Sequence, residues 1–252
     1  AMSATGQDKV RNGFGPLVGQ FTTLPFNDVA ALENAIDDSV AAIMLELIQG
    51  EGGVNAVTDE FAQAIQTKND EKGILLIIDE VQTGIGRTGT RFAYEQTVLK
   101  PHIVSMAKGL GGGFPIGGIL GVEELFNTFN AGTHGTTFGG NPLAVAVAQT
   151  VVDIVFKPSF LENVQELSAY FVEQLKTHLP STFSVQGKGL MLGLYCGGED
   201  VAPLVAKLDE AGLLTVAAGP KVIRLLPPLT VTKEEIDEAV TLLKNTLCVN
   251  LV

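Results

Sequence analysis

The sequence is poor in the residues that form disulfide frameworks and metal clusters. It contains two cysteines, Cys196 and Cys248, and three histidines, His102, His134 and His178. Their spacing matches no common zinc motif, and Cys196 lies in an apolar stretch that predicts a strand. We therefore expect no metal site, and we expect reduced thiols in a cytoplasmic protein rather than the disulfides of a secreted one.

Long apolar runs and basic residues are also scarce. No stretch approaches the ~18 uncharged apolar residues that a membrane span needs, and the N-terminal residues include no apolar signal-peptide core. The chain has 16 Lys and Arg against 28 Asp and Glu, which gives a formal net charge of −12. Such a surface repels nucleic acid, so we expect neither a nucleic acid nor a membrane as partner.

The two halves of the chain differ in their pattern. Through residue 156, β-type runs alternate with helical stretches across short links, which predicts an α/β domain with a mainly parallel sheet. From residue 157, one long helix precedes several short β-type segments and a last helix, which is an α+β layout. We therefore predict a large domain over residues 1–156 and a small domain over residues 157–252.

Local signals predict where several helices begin and end. Polar residues that precede helical patterns predict N-caps, and a glycine after such a pattern predicts its end. The caps are Asn27 or Asp28, Thr58, Asn141 followed by Pro142, and Thr232 with Glu235 in a capping box, while Gly73 ends the helix that Thr58 begins.

Two apolar runs each lead to a charged residue. Ile74 to Ile78 are five aliphatic residues without alternation, which predicts a strand buried on both faces, and Asp79 follows them. The β-type run 102–107 leads to Lys108 at the start of a glycine-rich loop. Open α/β sheets bind ligands beyond the carboxyl ends of their strands, so this acid and this lysine predict a reactive site.

An acid and a lysine at adjacent strand ends suit pyridoxal phosphate. The lysine can form a Schiff base with the aldehyde, and the carboxylate can keep the pyridine nitrogen protonated. The residues alone leave open that Asp79 is a turn residue and that Lys108 is a solvated side chain. The GIGRTG run at 84–89 formally matches a dinucleotide fingerprint, but no acid follows in the place where a ribose would need one.

Four motifs in order resemble the class III, ornithine-type aminotransferases among the fold type I pyridoxal enzymes. They are LELIQGEGGV at 45–54, IIDEVQTGIGRTG at 77–89, MAKGLGGGFPIGG at 106–118 and HGTTFGGNPLA at 134–144. The last is most similar to the acetylornithine branch, and Leu47 stands where the family usually has proline. The family's N-terminal portion, with its Ser-Gly-Thr-Glu-Ala phosphate loop, is expected to be missing from these residues.

The resemblance implies pyridoxal 5'-phosphate as cofactor and a fold type I α/β architecture, with a partial large domain and a C-terminal α+β small domain. It implies that Lys108 holds the cofactor covalently and moves a proton, while Asp79 pairs with the pyridinium nitrogen. The cofactor-contacting stretch also includes Glu80, Val81 and Gln82. Val81 would pack against the ring and Gln82 would bond its phenolic oxygen, whereas Glu80, on the opposite side of the strand end, would be structural.

The resemblance also implies residues for the substrate and for a partner subunit. Thr137 would bind the cofactor phosphate and Thr136 would lie at the substrate, from a turn that crosses to the partner's site in a homodimer. Arg224 resembles the family's carboxylate-binding arginine, and Glu51 resembles the acid that pairs with it. Their ion pair would open for the α-carboxylate of 2-oxoglutarate and close for the amino end of the other substrate.

The activity implied is transfer of the δ-amino group of N-acetylornithine to 2-oxoglutarate, a reaction of arginine biosynthesis. Ornithine, N-succinylornithine and 4-aminobutyrate remain alternative substrates. A different class of function also remains open, in which the chain is a catalytically incompetent module that folds and associates with itself.

Overall fold

The computed structural model describes residues 2–198 and 200–247, so Cys248 lies outside the described residues. The helices are α1 (Asp8–Arg11), α2 (Val29–Ala35), α3 (Asp59–Lys72), α4 (Pro142–Val155), α5 (Pro158–His178), α6 (Ala202–Glu210) and α7 (Lys233–Leu247). The strands are β1 (Ala42–Glu46), β2 (Ile48–Gln49), β3 (Asn55–Ala56), β4 (Leu75–Asp79), β5 (Ile103–Met106), β6 (Gly118–Gly121), β7 (Phe183–Lys188), β8 (Met191–Cys196), β9 (Val216–Ala218) and β10 (Val222–Leu225). Short 3-10 helices cover Met2–Ala4, Ala93–Gln96, Lys108–Gly111 and Glu123–Asn127.

The first sheet has the strand order β1-β4-β5-β6. Strands β1, β4 and β5 are parallel, and β6 is antiparallel to β5. The β1-α3-β4 unit is therefore the parallel crossover that its short links predict. The register sets Asp79 opposite Glu46 on β1 and opposite Ser105 on β5, at the carboxyl ends of all three parallel strands.

The strand at 74–78 is fully buried on only one face. The prediction that both faces are buried is therefore wrong for the second face. Leu76 and Ile78 are fully buried under α2 and α3, whereas Leu75 and Ile77 are only half-buried. Successive side chains alternate between faces, and the packed helices lie on one of them. The other, called here the open face, also carries the side chain of Asp79.

The second sheet is fully antiparallel, with the order β7-β8-β10-β9. Helix α5 packs against it because its buried residues recur at helical spacing and form one apolar stripe. That stripe is Val164, Leu167, Phe171 and Leu175, and it shares a core with β8, β10 and α7. The domain boundary at residues 156 and 157 stays a prediction.

The predicted helix ends are confirmed. The side chains of Asp28, Thr58 and Asn141 accept hydrogen bonds from the N–H groups of Ala31, Phe61 and Ala144 at 2.9, 3.2 and 2.9 Å. Gly73 ends α3 in the left-handed region, with φ of 64°. Thr232 and Glu235 bond each other's N–H groups reciprocally at 2.8 and 3.2 Å, as a capping box does.

Over the described residues, no single helix has both the length and the hydropathy of a membrane span. Only α4 and α5 taken together, across the 69° bend between them, reach those values. Nor does the described chain gather three or more His, Cys, Asp or Glu side chains that could hold a metal ion.

Candidate active site

The carboxyl-terminal edge of the first sheet brings the predicted acid and lysine into one region. Asp79 ends β4, and Lys108 begins the 3-10 helix that follows β5. Both act electrostatically on the carboxyl group of Glu46, at the end of β1. We call Glu46, Asp79 and Lys108 the strand-edge site.

Asp79 makes a local turn contact as well as facing this edge. One of its carboxylate oxygens, Oδ1, accepts a hydrogen bond from the N–H of Val81 at 2.9 Å. This bond is the contact expected if Asp79 is a turn residue after a strand, the alternative that the sequence left open. It occupies one of two oxygens and fixes the carboxylate on the open face of the sheet.

Lys108 has an unusual backbone conformation and an exposed side chain. Its φ of 44° lies in the left-handed region, which costs a non-glycine residue on the order of 1–3 kcal/mol and is found mostly at functional sites. Lys108 and Gly109 are both exposed at the start of the glycine-rich loop. The described chain covers one face of the sheet and leaves the region of this lysine open.

Glu80 lies in the interior, directly after Asp79. It is 1% exposed, accepts a hydrogen bond from the hydroxyl of Thr83 at 2.5 Å and accepts another from the N–H of Tyr94 at 2.9 Å. Burial raises the pKa of Glu80, against the opposing effect of these bonds. The contacts of this carboxyl fix the loop that follows β4.

Through its guanidinium, Arg224 contacts two distant segments, one at Gly50 and Glu51 and one at Gln82. It lies on β10 and is 8% exposed. Its Nη1 donates to Glu51 Oε1 at 2.7 Å, to Gln82 Oε1 at 3.2 Å and to the carbonyl of Gly50. The hydrogen bond from Arg224 is the main reason that the pKa of Glu51 lies below its ordinary value. We call this group the arginine pocket.

The arginine pocket depends on a glycine and on an apolar base. A Cβ on Gly50 would stand 2.2 Å from Nε2 of Gln82, so a larger residue would displace the glutamine. Beneath the pocket, buried side chains from the turn after β1 pack against the second sheet. Ile48 and Val54 come from the segment after β1, and Met191, Ala218 and Val222 come from the second sheet. Among the described residues, Nε of Arg224 is buried and has no hydrogen-bond partner, so the pocket has one unused donor.

Thr136 and Thr137 lie apart from these contacts, on the turn that precedes α4. The hydroxyl of Thr136 accepts from the N–H of Gly139 at 3.2 Å, within the turn itself. Both threonines are exposed, and the neighbouring Phe138 is 81% exposed. The turn thus presents polar and aromatic groups to whatever lies against it.

Glu46 belongs to the site although sequence reasoning did not mark it. Its Oε1 accepts a hydrogen bond from the N–H of Gly50 at 3.3 Å. Burial is the main cause that raises the pKa of Glu46, and the charges of Asp79 and Glu51 raise it further. The sequence signal that could have identified Glu46 is its position at the end of a β-type run, which is also the position of Asp79.

The residues present fit pyridoxal phosphate. A carboxylate at the strand edge can pair with a ring nitrogen, a nearby lysine can bind an aldehyde, and the Gln82 amide adjoins the arginine pocket. The open face leaves room for a planar ring, and the phosphate would need donors such as the exposed Thr137.

Comparison with known proteins identifies the class. Residues 1–247 match the family Aminotransferase class-III, and the chain belongs to that family. The acetylornithine aminotransferase of Bacillus subtilis (strain 168) is 53% identical over 249 residues, which are 98% of this chain and 64% of that protein. The chain thus spans a little under two thirds of the length of the curated relatives it matches.

Solved structures agree with the fold. Ornithine aminotransferase from Toxoplasma gondii, with partial occupancy of PLP at its active site, superposes with a TM-score of 0.90 at 34% identity and covers 98% of this chain and 60% of its own. N-acetylornithine aminotransferase from Stenotrophomonas maltophilia K279a gives 0.83 at 36% identity, covering 92% and 63%. The α/β, fold type I class is confirmed, as is pyridoxal 5'-phosphate as the family's cofactor.

Proposed function

We propose that this chain acts as a pyridoxal-phosphate-dependent transaminase that moves the δ-amino group of N-acetylornithine to 2-oxoglutarate, in cytoplasmic arginine biosynthesis. The observation that carries the proposal is the arginine pocket, in which Arg224 and Glu51 pair at 2.7 Å beside Gln82. Similarity to acetylornithine aminotransferases at about half identity supports this substrate over ornithine, N-succinylornithine and 4-aminobutyrate.

The strand-edge site supplies the groups for amino transfer. Bound pyridoxal phosphate would supply an electron sink for the carbon that loses its proton. Lys108 would hold the cofactor and, once released by the amino substrate, its Nζ would take the proton from the carbon that bears the amino group. Asp79 would keep a proton on the ring nitrogen, and Gln82 would orient the ring through its oxygen.

The arginine pocket lets one site accept two kinds of substrate. A carboxylate of 2-oxoglutarate would displace Glu51 and bind the guanidinium of Arg224, whose buried Nε offers a further donor. When N-acetylornithine is bound, the Glu51–Arg224 pair would close and satisfy both charges. Each contact is charge-assisted and is worth about 1.5–3 kcal/mol, so the exchange shifts specificity at least tenfold.

The exposed turn at 134–140 supports a homodimer with shared sites. Its threonines and Phe138 are exposed, as residues that contact a second subunit would be in the separate chain. In such a dimer Thr137 would give the cofactor phosphate a donor and Thr136 would border the substrate.

A second candidate is a self-associating module without catalysis. It is favoured by the open face, where Met44 is 49% and Ile119 is 58% exposed, and by the exposure of Lys108. Apolar surface of this kind is normally covered by another subunit or segment.

The direct test is an assay of glutamate formation from 2-oxoglutarate with each of the four amino donors. N-acetylornithine should give the largest kcat/KM. Turnover led by another donor would refute the substrate, and a folded, dimeric protein that binds no pyridoxal phosphate would favour the second candidate.

A further inference from the structure

We propose that Arg87 is a positioning residue that holds Arg224 at a fixed distance from the strand-edge site. The inference rests on the proposed function, because it concerns the carboxylate that Arg224 would bind. Arg87 belongs to the GIGRTG loop (84–89), which follows Asp79 and Gln82 in the chain. Neither its type nor its spacing marks it as a binding residue.

Arg87 bonds the second sheet at two strand ends that lie side by side. Its Nη1 donates to the carbonyl of Leu190 at 3.0 Å and to the carbonyl of Pro227 at 2.6 Å. Leu190 directly precedes β8, and Pro227 lies just beyond β10, the strand that carries Arg224. Because β8 and β10 are antiparallel neighbours, the start of β8 lies beside the end of β10, and one guanidinium bonds both at that single end of the pair.

Main-chain contacts add to this connection. The N–H of Leu190 donates to the carbonyl of Arg87 at 2.9 Å. Gly189 approaches so closely that a Cβ there would stand 2.5 Å from that carbonyl oxygen and from Cα of Thr88. On the other side of the loop, Nε2 of Gln165 donates to the carbonyl of Gly89 at 2.7 Å. The loop and the second sheet are therefore in direct backbone contact.

The charge of Arg87 is costly where it lies. Burial lowers the pKa of Arg87 to about 10. In the described ranges 2–198 and 200–247, the ion pairs include Arg224 with Glu51 but none with Arg87. Arg87 is half-buried, and a partly desolvated cation whose side-chain partners are carbonyl groups is a poor source of stability. What a planar guanidinium provides is fixed geometry toward two acceptors.

These contacts close a ring that contains the arginine pocket. Gln82 bonds Arg224, the chain runs from Arg224 to Pro227, Pro227 bonds Arg87, and the chain returns from Arg87 to Gln82. The side-chain bonds of Arg87 therefore add to the main-chain contacts of the loop and to the bonds of Arg224 in setting the position of this guanidinium relative to the strand edge. Loss of the Arg87 side chain would remove the two bonds to the ends of β8 and β10 and leave the main-chain contacts.

The test uses the 252-residue chain and glutarate, a dicarboxylate with neither an amino nor a keto group. The resonance of the Arg224 Nε–H reports binding, and the Arg224→Gln variant identifies the signal. We expect Arg87→Gln to weaken glutarate affinity by about tenfold. Arg87→Lys, which keeps the charge and loses the planar geometry, should weaken it less.

Arg91→Gln is the matched control, because Arg91 is 56% exposed and pairs with Glu95 on the same segment. It should leave glutarate affinity unchanged. Equal affinity in Arg87→Gln and the unmodified chain would overturn the proposal, as would an unmodified chain that binds no glutarate. The transaminase assay is separate: a chain that shows the expected glutarate series without supporting turnover would retain the positioning role and lose the proposed function.

Discussion

The arginine pocket and the strand-edge site lie close together and differ in how complete they are. Arg224 is almost fully buried, and its partners Glu51, Gln82 and Gly50 all come from this chain. Lys108, in contrast, is exposed beside an open sheet face. The chain thus builds the proposed carboxylate site from its own packing, while the proposed cofactor site around Lys108 lies open. Binding of a carboxylate to the arginine pocket should therefore be measurable in this chain alone.

The largest effect is expected at the strand edge. In the proposed enzyme, Lys108→Ala should lower transamination by roughly a thousandfold or more, because no other group would hold the cofactor and move the proton. The visible absorbance of bound cofactor and the rate of glutamate formation measure this. Lys100→Ala, at another exposed lysine, is the control. Covalent cofactor on a different lysine would refute the assignment.

The contact between the GIGRTG loop (84–89) and the start of β8 should be sensitive to a single added methyl group. Gly189→Ala places a Cβ against the backbone of Arg87 and Thr88, whereas Gly212→Ala meets nothing within 4 Å. Both positions have positive φ, at 58° and 90°, so both variants carry that strain. We expect Gly189→Ala to lose about 2 kcal/mol more unfolding free energy than Gly212→Ala, by urea denaturation. Equal losses would show that the contact yields easily.

A smaller effect is expected inside the arginine pocket. Glu51→Gln in the proposed enzyme should raise kcat/KM for glutamate relative to N-acetylornithine by about tenfold, since Arg224 would lose a charged competitor. Steady-state kinetics with both donors measure the ratio. An unchanged ratio would mean that Glu51 does not compete with the substrate carboxylate.

The smallest effects separate two carboxyls of the same turn by the sign of their pH dependence. The pKa of Glu46 is raised, chiefly by burial, so the folded state binds more protons and the unfolding free energy falls as pH rises above about 4.3. The pKa of Glu51 is lowered, chiefly by Arg224, so its contribution is present above that pH and is lost as pH falls through the lowered pKa. In urea titrations across pH, Glu46→Gln should remove the decrease in unfolding free energy that Glu46 causes as pH rises. Glu51→Gln should remove the increase in unfolding free energy that Glu51 causes as pH rises. Matching slopes in both variants would contradict these assignments.

Features that depend on neighbouring residues were predictable from the sequence. The caps at Thr58 and Asn141 and the capping box at Thr232 each involve groups a few residues apart, and all three formed as expected. The parallel crossover through α3 followed from short links in the same way. Family resemblance predicted that Glu51 and Arg224 form a pair although they are 173 residues apart in the chain, and in the structure they are in contact.

Features that depend on packing between distant segments were not predictable. The half-buried face of β4 depends on where the helices lie, and an aliphatic run does not encode this. Glu46 gained its place from the register of β1 with β4, and Arg87 gained its partners from loops more than a hundred residues away. A charged residue among glycines or at a strand end carries little local signal of such contacts.

Strand β1 has a consequence for handling the protein. It is one of the two edge strands of the first sheet, and its residues, AIMLE, include neither proline nor lysine to block further pairing. Its outer backbone groups and the exposed Met44 form a template onto which another extended segment can add. We expect concentrated solutions of this chain to form β-rich aggregates on heating, and a lysine in place of Met44 to delay them.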